Sequence, residues 1–73
     1  MNTAERIKTI KEGGRVFRFR HELDAQGGRG KFSIYELTRL GGWKKCFGPA
    51  DEEACKDEMQ KLFYENPANR IDH

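Results

Sequence analysis

Long apolar runs are absent from this chain: none approaches the roughly 18 residues that a membrane-crossing helix needs. Hydrophobic and charged residues each make up 36%, so neither a membrane span nor a membrane partner is expected. The first eleven residues have no apolar segment behind their charges. They do not read as a secretory leader, and a cytoplasmic protein is expected. Cysteine is scarce as well. Cys46 and Cys55 are too few for a disulfide scaffold, and with histidine only at His21 and His73 they fall short of the four spaced ligands of a zinc centre. We expect no metal, no cofactor and two reduced core thiols. The alternative is a strand-to-helix disulfide, which requires Cα atoms within ~6.8 Å.

Catalytic residue types are thin too. Ser33 is the only serine, and no nucleophile has an evident base beside it. A chain of 73 residues buries only about 60% of its unfolded surface, which leaves a single small domain, residues 1–73, and no sizeable pocket. An enzyme is not expected. Nor is there a block of five like charges, so no disordered acidic or basic tail is read.

What is present is a polarised charge distribution. Residues 1–47 carry eleven Lys/Arg against five Asp/Glu, whereas residues 48–73 carry three against seven. A basic half of this kind steers a small protein toward a polyanion or toward a complex that handles one.

Local patterns give an α+β chain in the order αβββα. A short helix falls within residues 1–13, where Thr3 is placed to cap a stripe of Ala4, Ile7 and Ile10. Residues 14–47 read as a three-stranded antiparallel meander: RVFRFRHEL alternates with a period of two, the DAQGGRG loop at 24–30 reverses the chain, and KFSIYELTRL leads to a Gly41-Gly42 turn before Trp43 to Phe47. Glycines and cations in GGRGK, residues 27–31, would also suit a phosphate, but a hairpin needs them anyway and the P-loop spacing is missing. Gly48-Pro49 closes the sheet. Asp51 caps an amphipathic helix within residues 50–66 carrying Cys55, Met59, Leu62 and Phe63 on one face, and 67–73 is a loose tail.

Parity then assigns faces, because a one-residue slip sends every side chain to the other side. Pairing Phe19 with Tyr35, Phe17 with Leu37 and Arg18 with Glu36 gives an inner face of Phe17, Phe19, Tyr35, Leu37 and Cys46 under the C-terminal helix. The outer face would hold Val16, Arg18, Arg20, Phe32, Ile34, Thr38, Leu40, Trp43, Lys45 and Phe47. That is unusually apolar for a solvated sheet. Three explanations stand open: the N-terminal helix folds over it with Ile7 and Ile10, two copies join through it as a homodimer, or it receives a partner.

Arg interleaved with aromatics on a sheet is the arrangement that stacks bases and meets phosphates. The candidate partner-binding residues are therefore Arg18, Arg20, Phe32, Trp43, Lys45 and Phe47. The acidic helix residues Asp51, Glu52, Glu53, Asp57, Glu58 and Glu65 form a second candidate surface, one that would compete with nucleic acid for a basic groove. The segment Gly14 to Glu65, with its meander and the GGWKKCFGPADEEA passage into a capped helix, resembles small phage-encoded accessory proteins of the anti-CRISPR class. The resemblance implies a phage protein acting in the host cytoplasm by occluding a host protein or ribonucleoprotein complex, without catalysis. A direct nucleic-acid-binding regulator is the alternative.

Overall fold

The structure is a computed structural model and describes residues 1–22 and 30–72. The elements are α1 (Thr3–Lys11), β1 (Val16–Glu22), β2 (Lys31–Leu37), β3 (Trp43–Asp51), α2 (Glu52–Glu65) and β4 (Arg70–Ile71). They build an α+β fold in which a four-stranded sheet of order β3-β2-β1-β4 is covered on one face by α2. The sheet is mixed, because β4 runs parallel to β1 while the other pairs are antiparallel. Among the described residues no helix is long and apolar enough to cross a membrane. The loop expected at 24–30 and the GGRGK segment lie outside the described residues except for Gly30 and Lys31.

Both helices start on side-chain caps. Asn2, not Thr3, caps α1 by accepting the Glu5 N–H at 2.8 Å. Asp51 caps α2 by accepting the Ala54 N–H at 2.8 Å, as its position before Glu52 and Glu53 suggests. The core is Phe17, Ile34, Cys55, Met59 and Leu62, with Phe19, Phe32, Phe47, Ala50, Phe63 and Ile71 packed against it.

Three expectations are overturned. First, the β1–β2 register is one residue from the parity choice: Phe17 faces Glu36, Arg18 faces Tyr35 and Phe19 faces Ile34. This register buries Ile34 beside Phe17, packs the half-buried Phe32 against them, and leaves the tyrosine, which needs a partner for its hydroxyl, on the other face. The Arg18–Glu36 pair is not formed; Arg15 takes Glu36 through two bonds, one of them 2.9 Å from Nε.

Second, the β2–β3 connection is a five-residue loop, 38–42, with Leu37 opposite Trp43. Thr38 closes it by donating its N–H to the Gly42 carbonyl at 2.8 Å, and Leu40 points into solvent, 99% exposed. Strand β3 does not stop at Phe47 but continues through Gly48 and Pro49 to Asp51. It can do so because it is an edge strand, where proline's missing N–H costs no ladder bond.

Third, the tail is structured. Arg70 donates its N–H to Arg15 O at 2.9 Å and Asp72 to Phe17 O at 2.7 Å, which zips β4 onto β1. Asn69, 1% exposed, prepares that junction: it accepts the Arg15 N–H at 2.8 Å and donates to Leu62 O at 2.9 Å.

Candidate binding face

Alternation along β1 and β2 sorts the side chains into two sets. Phe17, Phe19, Phe32 and Ile34 point to α2, while Val16, Arg18, Arg20, Glu22, Ser33, Tyr35 and Leu37 point away from it, as the pairing of Arg18 with Tyr35 and Arg20 with Ser33 requires. On β3, Trp43 and Lys45 stand opposite Leu37 and Tyr35 and so join the second set. There the ladder slips. Ile34 pairs with Phe47, so Cys46 is an extra residue, and a second irregularity lies between Phe32 and Ile34. A one-residue bulge reverses parity downstream. Phe47 is thereby turned from the Trp43 face into the core, while Cys46 sits exposed at the bulge instead of joining the inner face.

Of the six candidates, the structure brings Arg18, Arg20, Trp43 and Lys45 together on one face and places Phe32 and Phe47 on the other, packed against the core. Ile34, assigned outward by the same parity, is fully buried there. Leu40 is not on the sheet at all. Tyr35, Glu22, Arg6 and Asp72 replace them as members of the face.

Two clusters organise it. At the β4 end, Asp72 accepts from Arg6 and Arg18, each at 2.8 Å, and the Met1 amino group lies 3.2 Å from its other oxygen. Its side chain is 3% exposed. Burial there opposes the charge, but donation from Arg18, the Met1 amino group and Arg6 outweighs it and holds the carboxyl down at about 2. The Arg18 guanidinium also lies 4.0 Å over the Trp43 ring, with Arg6 at 5.7 Å, which is cation–π distance.

At the opposite end, Glu22 accepts from Ser33 Oγ at 2.7 Å, Tyr35 OH at 2.8 Å and Lys45 Nζ at 3.2 Å. Donation from Ser33 and Tyr35, then from Lys45, pulls this carboxyl to about 2 against the effect of burial. The bond to Glu22 in turn raises the Lys45 ammonium. Arg20 lies 5.8 Å from the Tyr35 ring and is exposed.

Helix α1 rests on the Val16 end of the face. Val16 is fully buried and Thr9 nearly so, while Ile7 and Ile10 are 48% and 39% exposed. Thus α1 approaches this side of the sheet, but through Arg6 and Thr9 and not through its isoleucine stripe.

The two thiols are free. Desolvation pushes both Cys46 and Cys55 above the ordinary thiol range, which disfavours the nucleophilic thiolate. Cys55 instead donates to Phe32 O at 3.3 Å. Among the described residues no group of three or more His, Cys, Asp or Glu is placed to hold a metal ion.

Sequence reasoning missed Asp72, Glu22, Arg6 and Tyr35. Asp72 lies 54 residues from Arg18 and follows an element only two residues long, so no local pattern announced it. Tyr35 was within reach: a tyrosine three residues after Phe32 and next to Ile34 is the poorest of the three to bury. No protein-family model matches the chain, and neither the curated proteins nor the solved structures contain a significant match.

Proposed function

We propose that this chain is a non-enzymatic binding protein, a phage-encoded inhibitor of the anti-CRISPR type, that occludes a surface on a nucleic-acid-handling complex through the face built from Arg18, Arg20, Tyr35, Trp43 and Lys45. The observation that carries the reading is the ordering of this face: Arg18 is held by Asp72, Tyr35 and Lys45 are held by Glu22, and Trp43 lies under the Arg18 guanidinium, while one side of the sheet stays free of α2. A locked polar and aromatic surface loses little side-chain entropy on association. The phage and anti-CRISPR component rests on the sequence resemblance.

Charge compensation favours a protein surface over free nucleic acid. Arg18 already faces Asp72 and Lys45 already faces Glu22, so a phosphate would compete with an internal carboxylate at both. A folded partner with mixed charge can instead complement the whole pattern. The acidic outer side of α2 remains available as a second contact.

The test pairs two measurements. Purified CRISPR effector complexes are titrated with the chain and their target-DNA binding is followed, while fluorescence anisotropy follows a labelled single-stranded oligonucleotide with the chain alone. The expected result is loss of target binding with no oligonucleotide uptake, and weaker inhibition by Arg20→Glu. Arg20 is the suitable position because Arg18 and Trp43 also help hold α1 and β4. Oligonucleotide binding that falls steeply with salt, without any effect on the effectors, would transfer the chain to the direct nucleic-acid-binding class.

A further inference from the structure

The exposed main-chain edge of β1 is a second feature poised for recognition, and it goes beyond the reading of the polar face. Strand β1 has seven residues, but β4 pairs only with Val16 and Phe17. Phe17 O accepts from Asp72 on the β4 side, so the alternation of an antiparallel ladder turns the N–H and C=O groups of Phe19 and His21 the same way, away from β2. Among the described residues nothing pairs with them. An open strand edge of this length is a template for another strand. The opposite edge is different, because β3 carries two register irregularities and Pro49, devices that blunt an edge.

The surroundings specify what kind of strand fits. On the α2 side, a cavity of about 120 Å³ opens beside the edge, lined by Phe19, Phe32, Cys55 and the stems of Glu52 and Lys56. An engineered apolar cavity of ~150 Å³ takes up benzene, so this one has room for a branched aliphatic side chain. On the opposite side stands Arg20, exposed and without a carboxylate partner among the described residues, in contrast to Arg18. The chain's own β4 shows the pattern in miniature. Ile71 packs into the core while the next residue, Asp72, turns to the Arg18 guanidinium. One step further along β1, the same alternation places an apolar residue at the level of Phe19 and an acidic one at the level of Arg20.

We propose that the Phe19–Glu22 edge of β1 binds an extended segment of a partner protein by strand addition, and that the segment alternates apolar and acidic residues, with its apolar side chain in the Phe19/Phe32/Cys55 cavity and its carboxylate on Arg20. Main-chain bonds to Phe19 and His21 supply the strand contacts; the cavity and Arg20 supply the choice of sequence.

The test uses a capped nine-residue peptide alternating valine and aspartate, with a valine–lysine peptide of the same length as control, titrated into the isotopically labelled full chain. Expected are shifts confined to Phe19–Glu22, Cys55 and Lys56, slowed exchange of the Phe19 and His21 amides, and no response to the lysine peptide. Arg20→Glu exchanges the preference, so that the lysine peptide binds and the aspartate peptide does not. His21→Pro removes an N–H that faces away from β2, leaves the fold intact, and weakens the aspartate peptide about tenfold. The proposal is overturned by shifts that ignore both substitutions, by absence of shifts at millimolar peptide, or by concentration-dependent protection of the Phe19 and His21 amides without peptide, which would assign the edge to a second copy of the chain. Arg20→Glu touches both sites, so His21→Pro is the variant that separates them: it leaves Arg20, Trp43 and Lys45 in place, and is expected to weaken the peptide while effector inhibition persists.

Discussion

Removing the Asn69 side chain should cost this domain a large part of its stability, although the residue lies outside every regular element. Its Oδ1 accepts the Arg15 N–H and its Nδ2 donates to Leu62 O, so it joins the end of α2 to the start of β1 and presents β4. In Asn69→Ala the Arg15 N–H is left unpaired. Leu62 O keeps only the Asn66 N–H, at 3.1 Å. At about 1–1.5 kcal/mol for each lost bond, with a further contribution from the space left behind, the loss is about 2–4 kcal/mol. A domain of this size is stable by only about 4–11 kcal/mol. With an unfolding entropy of about 2.1 cal/mol/K per residue, each kcal/mol moves the midpoint of such a chain by about 6–7 °C, so thermal unfolding followed by circular dichroism should show a fall of about 15–25 °C. The neighbouring Asn66→Ala is the comparison. It loses a bond to Gly13 O in an exposed setting and the bond its Oδ1 accepts from the Ala68 N–H at 3.0 Å, both at positions that water can reach, and should cost only about 1–1.5 kcal/mol. If Asn69→Ala melts within about 3 °C of the wild type, with the Arg70 and Asp72 amides still slow to exchange, the account of how β4 is held is wrong.

Three further outcomes follow from the same contacts. Glu22 and Asp72 both have carboxyls drawn down to about 2, so their contribution is present above the ordinary carboxylate range and disappears as pH falls from about 5 toward 2; urea midpoints across that window should drop for the wild type and drop less for the Glu22→Gln, Asp72→Asn double variant, and a flat wild-type profile would contradict this. Gly48 has φ +95°, and a Cβ there would lie 2.6 Å from Phe32 O, whereas Gly41 has φ +88° with open space around it; Gly41→Ala should cost about 1–2 kcal/mol and Gly48→Ala about 1–3 kcal/mol more, and equal melting temperatures would remove the steric argument. Cys46 is exposed and Cys55 is 1% exposed, so a thiol reagent should label one site in the folded protein and the second only as the protein unfolds, as mass spectrometry would show.

Much of the local structure was legible. The period-two alternation of RVFRFRHE, the Asp51 cap and the spacing of Cys55, Met59 and Leu62 are short-range signals, and each element stands where its signal lies. The placement of α2 over Phe17 and Phe19 followed from the same pattern. The candidate face was legible in part. Arg18, Arg20, Trp43 and Lys45 do share a surface, whereas Phe32 and Phe47 were assigned to it by a parity rule that assumes an unbroken ladder and a chosen register.

The amino-acid sequence by itself determined where the helices form and where the first three strands begin, because capping, alternation and amphipathic spacing act between residues a few positions apart. Only the tertiary structure decided the β1–β2 register, the bulge at Cys46 and the docking of β4. Those outcomes depend on which residues can be buried together across the sheet and on whether Asp72 can reach Arg18 from 54 residues away. Such long-range compensation of charge and packing leaves no trace in local periodicity.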